Sequence, residues 1–466
     1  MQIPILNGIY SDSVADFRTS YPRNLIPVPK QNGISQGYLR PAEGIVLFGT
    51  GAGVDRGAIN WNGVCYRVMG TSLVSIDSIG NQTVLGSIGG AGQVTFDYSF
   101  DRLGIAADGK LHYWNGTTLT QVTDSDLGTV NDFIWVDGYF LTTDGTNLVQ
   151  TELTDPTSVN PLKYGSSEAD PDKIVALLKL RNEPYVLNRY TIEVFQNIGG
   201  DFFVFERISG AQMQRGCIGT FACAVFLESI AFVGSGRNES PAVWLGSNSS
   251  TVKISTREID QILSEYSESD LSKIVAEVRV TKGHQFLYIH LSDQTLVYDG
   301  ASSQILEEPV WHTLTTSVKD NAIYRARNFV WCYDKWLCGD PISSNHGYLV
   351  DNISSHYSAI NGWEFGTTII YNESRGAIFH ELELVCLTGN VVLGVDPTIW
   401  ASYTTDGETW SQEKPRTAGK QGEKNKRISW LQCGHMKNWR AQKFRGTSDA
   451  HISIARLEAR LEPLNV

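Results

Sequence analysis

The amino-acid sequence predicts a mainly β protein: a β-propeller of six or seven blades, with seven favoured, a small helical insertion and a C-terminal β-sandwich-like domain. Three observations lead to this prediction: a strand–turn–strand unit recurs along most of the chain, one segment has helical spacing, and the pattern changes near residue 360. The predicted organisation is an extended N-terminal arm (1–43), a propeller (44–361) with the insertion at about 255–278, and the sandwich-like domain (362–466).

The composition agrees with many short strands joined by tight turns. The 466 residues include 44 glycines and 11% aromatic residues, while 19% are charged and 41% hydrophobic. Glycine exceeds its usual share of about 7%. The hydrophobic fraction is sufficient for a large core and excludes a disordered polyelectrolyte. The net charge of −12 argues against a general nucleic-acid coat protein.

The recurring unit is an apolar strand, a tight turn and a second strand. Its strand centres lie 37, 36, 45, 46, 56 and 49 residues apart, at Val68, Ile105, Leu141, Val186, Phe232, Tyr288 and Leu337. The pairs Asp108-Gly109 and Asp144-Gly145 suit two-residue hairpin turns, which need positive φ angles. Repeats of this length with four strands each are typical of propeller blades. A series of unrelated antiparallel sheets is the alternative.

Two further segments complete the predicted propeller. An isolated apolar strand, 44–49, precedes the first repeat, and we expect it to pair with 348–351 at the end of the last blade. Apolar residues at 259, 262, 263 and 266 have helical spacing, and Ser267 to Asp270 resembles a capping box that opens a second helix. We therefore expect a helical pair between two blades.

After about residue 360 the strand candidates become longer. They are Phe379–Leu387, Ile399–Thr404, Ile428–Cys433 and His451–Leu461. The last alternates apolar and charged residues, as a half-buried strand does. Residues 1–43 hold five of the 15 prolines and little periodicity, which predicts an arm lying on a surface.

No residue pattern identifies catalytic, cofactor or metal-binding residues, and none is predicted. The glycine-rich stretch 49–55 lacks the lysine of a phosphate-binding loop, and the spacing of Cys332, Cys338 and His346 differs from zinc sites. The segment 402–410 resembles the aspartate box of sialidase-type propellers, which is itself a structural hairpin. The seven scattered cysteines predict free thiols in a reducing compartment, and no secretion or membrane-insertion signal is expected.

Positive charge is concentrated near the C-terminus. Residues 414–445 hold ten basic residues and one acidic residue, giving +9 against −21 for the rest of the chain. Such clustering favours an anionic partner, although a solvated loop is the alternative. The candidate interaction patch consists of Lys424, Lys426, Arg427, Lys437, Arg440, Lys443 and Arg445.

Residues spread over about 37–410 resemble the tail-hub, or packaged-DNA stabilisation, family of short-tailed, tailspike-bearing double-stranded DNA phages. Matching stretches include Gly37–Arg40, Asp144–Thr146, Ile289–Leu291, Leu296–Asp299 and Cys338–Asp340. None of these stretches is a catalytic signature. The N-terminal residues and the basic region after 411 match the family poorly.

The resemblance implies a non-enzymatic, structural virion protein of the head-to-tail connector. It would be a homo-hexamer below the portal and its adaptor, closing the channel to retain packaged DNA and docking tailspikes and a tail needle. Contact with the packaged DNA would be independent of base sequence. The protein would reside in the virion tail, and in the host cytoplasm during assembly. The alternative function is a propeller-type glycan-binding or glycan-cleaving tail protein.

Overall fold

The computed structural model describes residues 1–11, 17–30, 37–373 and 375–464. Seven antiparallel sheets of four or five strands each form a β-propeller, and two further sheets form a β-sandwich. The predicted fold class is therefore confirmed, with the favoured number of seven blades. In the described part of the chain, no helix is long and apolar enough to cross a membrane.

Blades 1 to 4 are consecutive four-stranded meanders. Blade 1 contains Asp55–Trp61, Val64–Met69, Ser72–Ile76 and Gln82–Ser87. Blade 2 contains Thr95–Tyr98, Leu103–Ala107, Lys110–Trp114 and Leu119–Gln121. Blade 3 contains Asp132–Val136, Tyr139–Thr143, Asn147–Thr151 and Val159–Ser166. Blade 4 contains Ile174–Leu180, Glu183–Asn188, Ile192–Asn197 and Phe205–Met213.

Blades 5 to 7 include one extra short strand and one strand from the other end of the propeller. Blade 5 contains Gly216–Cys217, Cys223–Phe226, Ser229–Ser235, Ala242–Ser247 and Ser250–Lys253. Blade 6 contains Val275–Thr281, His284–His290, Thr295–Asp299 and Trp311–Leu314. Blade 7 contains Arg327–Cys332, Lys335–Gly339, Asn345–Val350 and Gly44–Thr50.

The predicted hairpin turns differ from each other. Asp108 and Gly109 both have positive φ angles (53° and 73°), as expected. At the second pair the positive φ, 95°, belongs to Gly145. There the Asp144 carboxylate accepts hydrogen bonds from the N–H groups of the next residues, including Asn147 at 2.7 Å. Side-chain hydrogen bonding to the local backbone therefore replaces the two-residue turn geometry.

The inner strands of the seven blades contact one another in a closed ring. Acidic side chains join neighbouring members of this ring. Asp97 accepts a hydrogen bond from the backbone N–H of Trp135 at 2.6 Å, and Asp132 accepts one from that of Leu177 at 2.8 Å. Glu277 likewise accepts two backbone N–H groups of blade 7. These carboxylates satisfy backbone donors that no strand pairing reaches.

The propeller is closed by the N-terminal strand Gly44–Thr50, as predicted. It pairs antiparallel with Asn345–Val350, in a register that places Gly44 opposite Val350 and Thr50 opposite Asn345. Immediately before this strand, Glu43 forms a buried ion pair with Arg279 of blade 6. The closing strand is thus held by a backbone ladder in blade 7 and by an ion pair to blade 6.

The helical pair also lies where it was predicted, between blades 5 and 6. Helix α1 spans Arg257–Ser264 and helix α2 spans Glu268–Leu271. Each is capped at its N-terminus by a hydroxyl side chain, which accepts a backbone N–H of the first turn. A third helix, α3 (Gly300–Leu306), and a short 3₁₀ helix, Ser125–Leu127, were not predicted. Their short sequences carry no helical periodicity.

The sandwich packs a seven-stranded sheet against a five-stranded sheet. The larger sheet contains Gln2–Ile3, Leu25–Pro29, Gly37–Pro41, Ala377–Leu387, Ile428–Leu431, His435–Met436 and Ser453–Pro463. The smaller sheet contains Gly362–Gly366, Ile370–Tyr371, Thr398–Thr404, Lys414–Thr417 and Trp439–Thr447. A separate hairpin consists of Gly8–Ser11 and Phe17–Ser20. Trp430 and Phe444 meet in the core between the sheets, 5.4 Å apart.

The N-terminal segment differs from the surface arm that its prolines predict. Leu25 and Leu39 are fully buried in the sandwich core, on strands of the larger sheet. The proline-containing strand Leu25–Pro29 lies at the edge of that sheet. An edge strand tolerates proline because part of its backbone has no ladder partner. Pro27 and Pro29 therefore mark an edge strand.

The buried side chain of Asn24 is one of the connections between the propeller and the sandwich. The Asn24 side-chain amide donates to the carbonyl oxygens of Thr315 and Gly362, at 3.0 and 2.6 Å. Its side-chain oxygen accepts the backbone N–H of Thr315 at 2.9 Å. Asn24 has a φ of 53°, which asparagine tolerates better than most residues. It joins the N-terminal segment, the loop after blade 6 and the first strand of the smaller sandwich sheet.

Breaking the buried ion pair should destabilise the closed propeller. Arg279→Met leaves the Glu43 carboxylate buried without its partner, and losses of about 3–5 kcal/mol are typical of such changes. We expect a clearly lower melting temperature in calorimetry. Glu43→Gln combined with Arg279→Met should recover part of the loss, because no unpaired charge is then buried. A single variant as stable as the parent chain would contradict this role.

The inner ring should also make stability depend on pH. Burial raises the pKa of Asp132 to about 7, above its unfolded value of about 3.9. The native state therefore retains the proton longer, so this residue's contribution to stability falls as pH rises from about 4 to 7, by at most about 1.4 kcal/mol per pH unit. We expect the melting temperature of Asp132→Asn, relative to the parent chain, to rise between pH 5 and 8.

Asp101 provides the control for this pH series. Hydrogen bonds from Arg102 and Ser99 lower the pKa of Asp101 to about 2. Its carboxylate therefore stays ionised in folded and unfolded chains between pH 5 and 8, and the effect of Asp101→Asn should be constant. A parallel pH trend in both variants would show that Asp132 is not the titrating group.

Candidate interaction surface of the sandwich

The basic stretch 414–445 is distributed over both sheets of the sandwich. Lys414–Thr417 lies at the edge of the smaller sheet, and Ile428–Leu431 lies at the edge of the larger one. The side chains of Lys414 and Arg416 donate to backbone carbonyl oxygens of the facing edge, at 2.8 and 2.9 Å. Trp439–Thr447 is a central strand of the smaller sheet. The sequence cluster is therefore not one surface.

Arg440 is a core residue and does not belong to an exposed patch. It is buried, and its guanidinium lies over the rings of Phe379 and Tyr403, 4.2 and 3.7 Å from their centroids. It donates a hydrogen bond to the carbonyl oxygen of Cys433 at 2.6 Å. Burial lowers its pKa to about 10. Strand alternation places Arg440 on the face of its sheet that packs against the other sheet. Its charge had predicted an exposed side chain.

Lys443 and Arg445 are half-buried and already have partners. Arg445 forms a two-point ion pair with Glu413 (2.6 and 2.5 Å) and lies over the Trp400 ring. The Lys443 ammonium lies 4.4 Å from the centroid of Trp410, in the hairpin that resembles an aspartate box. These side chains cover aromatic surface of the sandwich. Their positive charge is therefore largely compensated by contacts within the chain.

Arg427 is exposed but paired across the edge of the larger sheet. Its Nε donates to Glu383 at 2.8 Å, and its Nη2 lies 3.5 Å from a carboxylate oxygen of Glu381. This pair lowers the pKa of Glu383. Arg427 therefore neutralises acidic residues of its own sheet.

Lys424, Lys426 and Lys437 are exposed, but they form two separate surfaces. Lys437 follows Met436, which pairs with Ala377 at one end of the strand Ala377–Leu387. The turn that contains Lys424 and Lys426 packs at the other end of this strand, beyond Leu387. At about 3.3 Å per residue, the two ends are about 30 Å apart. The predicted single patch is thus divided.

The lysine turn adjoins an exposed apolar loop that sequence reasoning missed. The N–H of Gly422 donates to the carbonyl oxygen of Gly389 at 3.1 Å, and the Thr388 hydroxyl donates to that of Glu423 at 2.8 Å. Beside this junction, the side chains of Leu387, Val392 and Leu393 are exposed by 73%, 69% and 83%. We call these two loops, 387–395 and 418–427, the apolar–basic tip. The sequence feature that could have revealed this loop is the aliphatic run Val391–Leu393 between Gly389 and Gly394.

The residues considered for chemistry have structural partners. The Cys332 thiol lies 3.4 Å from the carbonyl oxygen of Gly63, and His346 lies 3.2 Å from that of Gly80. Burial lowers the pKa of His346 to about 4 and raises that of Cys338 to about 12. The seven cysteines are free thiols. Within residues 1–11, 17–30, 37–373 and 375–464, no three His, Cys, Asp or Glu side chains are grouped to hold a metal ion.

Comparison with known proteins identifies the family. The family model for the β-propeller of bacteriophage P22 Gp10 matches residues 1–354, and the model for the β-sandwich of the same protein matches 362–462. The chain belongs to this family. It is 27% identical, over 485 residues, to the tail hub protein gp10 of Salmonella phage P22, with 99% of both chains covered.

Membership in the tail-hub family confirms the resemblance and matches a structural tail-hub role. The expected poor match of residues 1–36 and of the basic region after 411 is wrong, because the two family models cover both segments. The glycan-directed alternative is not favoured. Among solved structures, the Pan2 WD40 domain of Neurospora crassa (TM-score 0.40, 10% identity) is covered over 90% of its length by 64% of this chain. PorZ of Porphyromonas gingivalis (0.39, 12%) is covered over 46% by 80% of this chain. At these TM-scores, neither structure bears on function.

Substitutions at Arg440 and Lys437 should separate a core role from a surface role. Arg440→Ala removes the stacking on two rings and leaves the Cys433 carbonyl oxygen without its donor. We expect a loss of about 2–4 kcal/mol in urea unfolding. Lys437→Ala, only three residues away but exposed, should change stability by less than about 0.5 kcal/mol. Equal effects of the two substitutions would contradict the assigned burial.

Proposed function

We propose that six copies of this tail-hub family protein form a ring below the portal and its adaptor in a phage virion. The ring would close the channel after packaging, retain the DNA, and dock tailspikes and a tail needle. Each chain would fold in the host cytoplasm and then become part of the virion tail. The observation that carries this proposal is the match of the tail-hub family models to both domains.

The closed propeller supports a role under mechanical load. Its first and last strands are joined in blade 7, and strands from both chain ends meet again in the larger sandwich sheet, where Gln2 pairs with Glu458. A force that opens either domain must therefore break a β-ladder between distant parts of the chain. A closed ring of blades also has only short edges that could pair with other chains.

The distribution of basic side chains supports a protein partner more than DNA. A surface that follows a DNA backbone needs a continuous row of cations, and its affinity depends steeply on salt. Arg440 is buried, Arg427 and Arg445 are in ion pairs, and Lys437 lies about 30 Å from the lysine turn. The turn instead combines lysines with exposed aliphatic side chains, a composition that suits a protein contact.

The same family membership supports a non-enzymatic role. A glycan-cleaving propeller would require two carboxylates held at a defined separation around a bound sugar. The inner-ring carboxylates of Asp97, Asp132 and Glu277 are instead used in hydrogen bonds between blades. This use of the carboxylates supports a structural role for the protein.

Electron microscopy of the purified chain, alone and mixed with its portal and adaptor proteins, tests the proposal. We expect six-fold rings bound below the adaptor, and filled heads that lose DNA when the chain is omitted. The Lys437→Ala variant serves as the assembly-competent control. A chain that stays monomeric with both partners, and that hydrolyses a cell-surface polysaccharide, would overturn the proposal in favour of the glycan-directed alternative.

A further inference from the structure

We propose that the apolar–basic tip of one copy docks into an apolar cleft with acidic surroundings on the propeller of the neighbouring copy. This inference rests on the ring proposed above and assigns the contact that joins its subunits. The tip presents Leu387, Val392 and Leu393 beside Lys420, Lys424 and Lys426.

The tip is built to project its aliphatic side chains. Its two loops are tied by the backbone hydrogen bond from Gly422 to Gly389, where an added Cβ would lie only 2.9 Å from Glu423. Gly389 also has a φ of 80°, a conformation that favours glycine. The junction is therefore close and specific. Exposed aliphatic side chains held on such a junction are unfavourable in water unless another surface covers them.

The cleft lies where blades 2, 3 and 4 meet. It has a volume of about 380 Å³ and is lined by Phe100, Trp135, Leu153, Asp101 and Asp137, among others. Phe100 is 93% exposed and meets Trp135 edge-to-face, with their ring centroids 5.7 Å apart. An aromatic side chain exposed to this extent beside a concave apolar site is typical of an interface.

The electrostatics of the two surfaces are complementary. The cleft lies on the propeller face formed by two sets of loops: those joining the first strand of a blade to the second, and those joining the third to the fourth. Together these loops hold ten acidic and three basic residues. In the tip, Lys424 and Lys426 form no ion pair with any residue that the structure describes. Opposite charges around an apolar contact guide association and fix its orientation.

The positions of the two surfaces favour contact between copies. The sandwich is anchored beside blades 6 and 7, through the hydrogen bond from Asn24 to Thr313 and that between Ser354 and His451. The cleft belongs to blades 2 to 4, across the seven-bladed ring. A tip is thus held away from the cleft of its own chain. Two different surfaces, one convex and one concave, form a head-to-tail contact, and such contacts generate a ring where the rotation between successive copies closes.

Matched single substitutions test the contact. Leu393→Asp in the tip and Phe100→Asp in the cleft should each weaken subunit association at least tenfold, measured by sedimentation velocity, because each places a carboxylate in the apolar contact. Leu162→Asp is the control: Leu162 is 70% exposed on the outer strand of blade 3, outside both surfaces. Lys424→Glu with Lys426→Glu should also weaken association, most strongly at low salt. Thermal unfolding verifies that each variant is folded.

Cross-linking tests the direct contact. Chains carrying Leu393→Cys are mixed with chains carrying Phe100→Cys and treated with a short bismaleimide. We expect a cross-linked pair between the two kinds of chain, and none when Leu162→Cys replaces Leu393→Cys. Background from the native thiols should be low, since six are buried and burial raises the pKa of Cys386, the half-buried seventh, to about 12.

The outcomes separate this inference from the ring itself. Normal six-fold rings in Leu393→Asp and Phe100→Asp, without the cross-link, would overturn the contact and leave the ring standing. A parent chain that never associates, even with portal and adaptor, would overturn both. Binding of anionic phospholipid vesicles or of duplex DNA that is lost in Leu393→Asp or Lys424→Glu/Lys426→Glu, with association unchanged, would assign the tip to that partner and overturn the contact.

Discussion

The antiparallel pairing of Gly44–Thr50 with Asn345–Val350 is the interaction on which the rest of the architecture depends. It turns an open row of sheets into a ring, so that the inner strand of blade 7 can contact that of blade 1. It also fixes where the N-terminal segment leaves the propeller, and from there strands Leu25–Pro29 and Gly37–Pro41 enter the sandwich sheet. Propeller closure and sandwich assembly are therefore coupled through one short stretch of chain, held additionally by the Glu43–Arg279 ion pair.

Burial, more than position in the sequence, decides which charged side chains of this protein can meet a partner. Carboxylates of the inner ring, such as Asp132, accept backbone N–H groups between blades. In the sandwich, Arg440 is enclosed by two aromatic rings and Arg445 is paired with Glu413. Lys424 and Lys426 stay exposed at a loop end, beside the exposed aliphatic side chains of Val392 and Leu393. An assembly protein needs this combination, because apolar contact supplies affinity and charge supplies orientation.

The candidate site was predicted only in part. The local excess of positive charge is visible in the sequence, and Lys424 and Lys426 are exposed as expected. The division of the stretch into a core strand, two sheet edges and a turn was not visible, since it depends on which strand lies at a sheet centre. The apolar loop containing Leu393 was missed because an aliphatic run is read as buried. Its exposure follows from the way the two loops meet at Gly389.

The amino-acid sequence predicts the fold class, the repeating hairpins, the helical pair between blades 5 and 6, and the pairing of the first propeller strand with the last blade. The first three features arise from local periodicity, turn residues and capping residues, which act over a few positions. The strand pairing joins distant residues, and it was predicted because a closed propeller needs a partner for the isolated strand Gly44–Thr50. Three features become visible in the folded chain alone: the proline-rich N-terminal segment belongs to the sandwich, Arg440 is buried, and the tip and the cleft are separate exposed surfaces. These features depend on contacts between residues hundreds of positions apart, such as Leu39 with Ile454, and local sequence patterns carry no record of such distances.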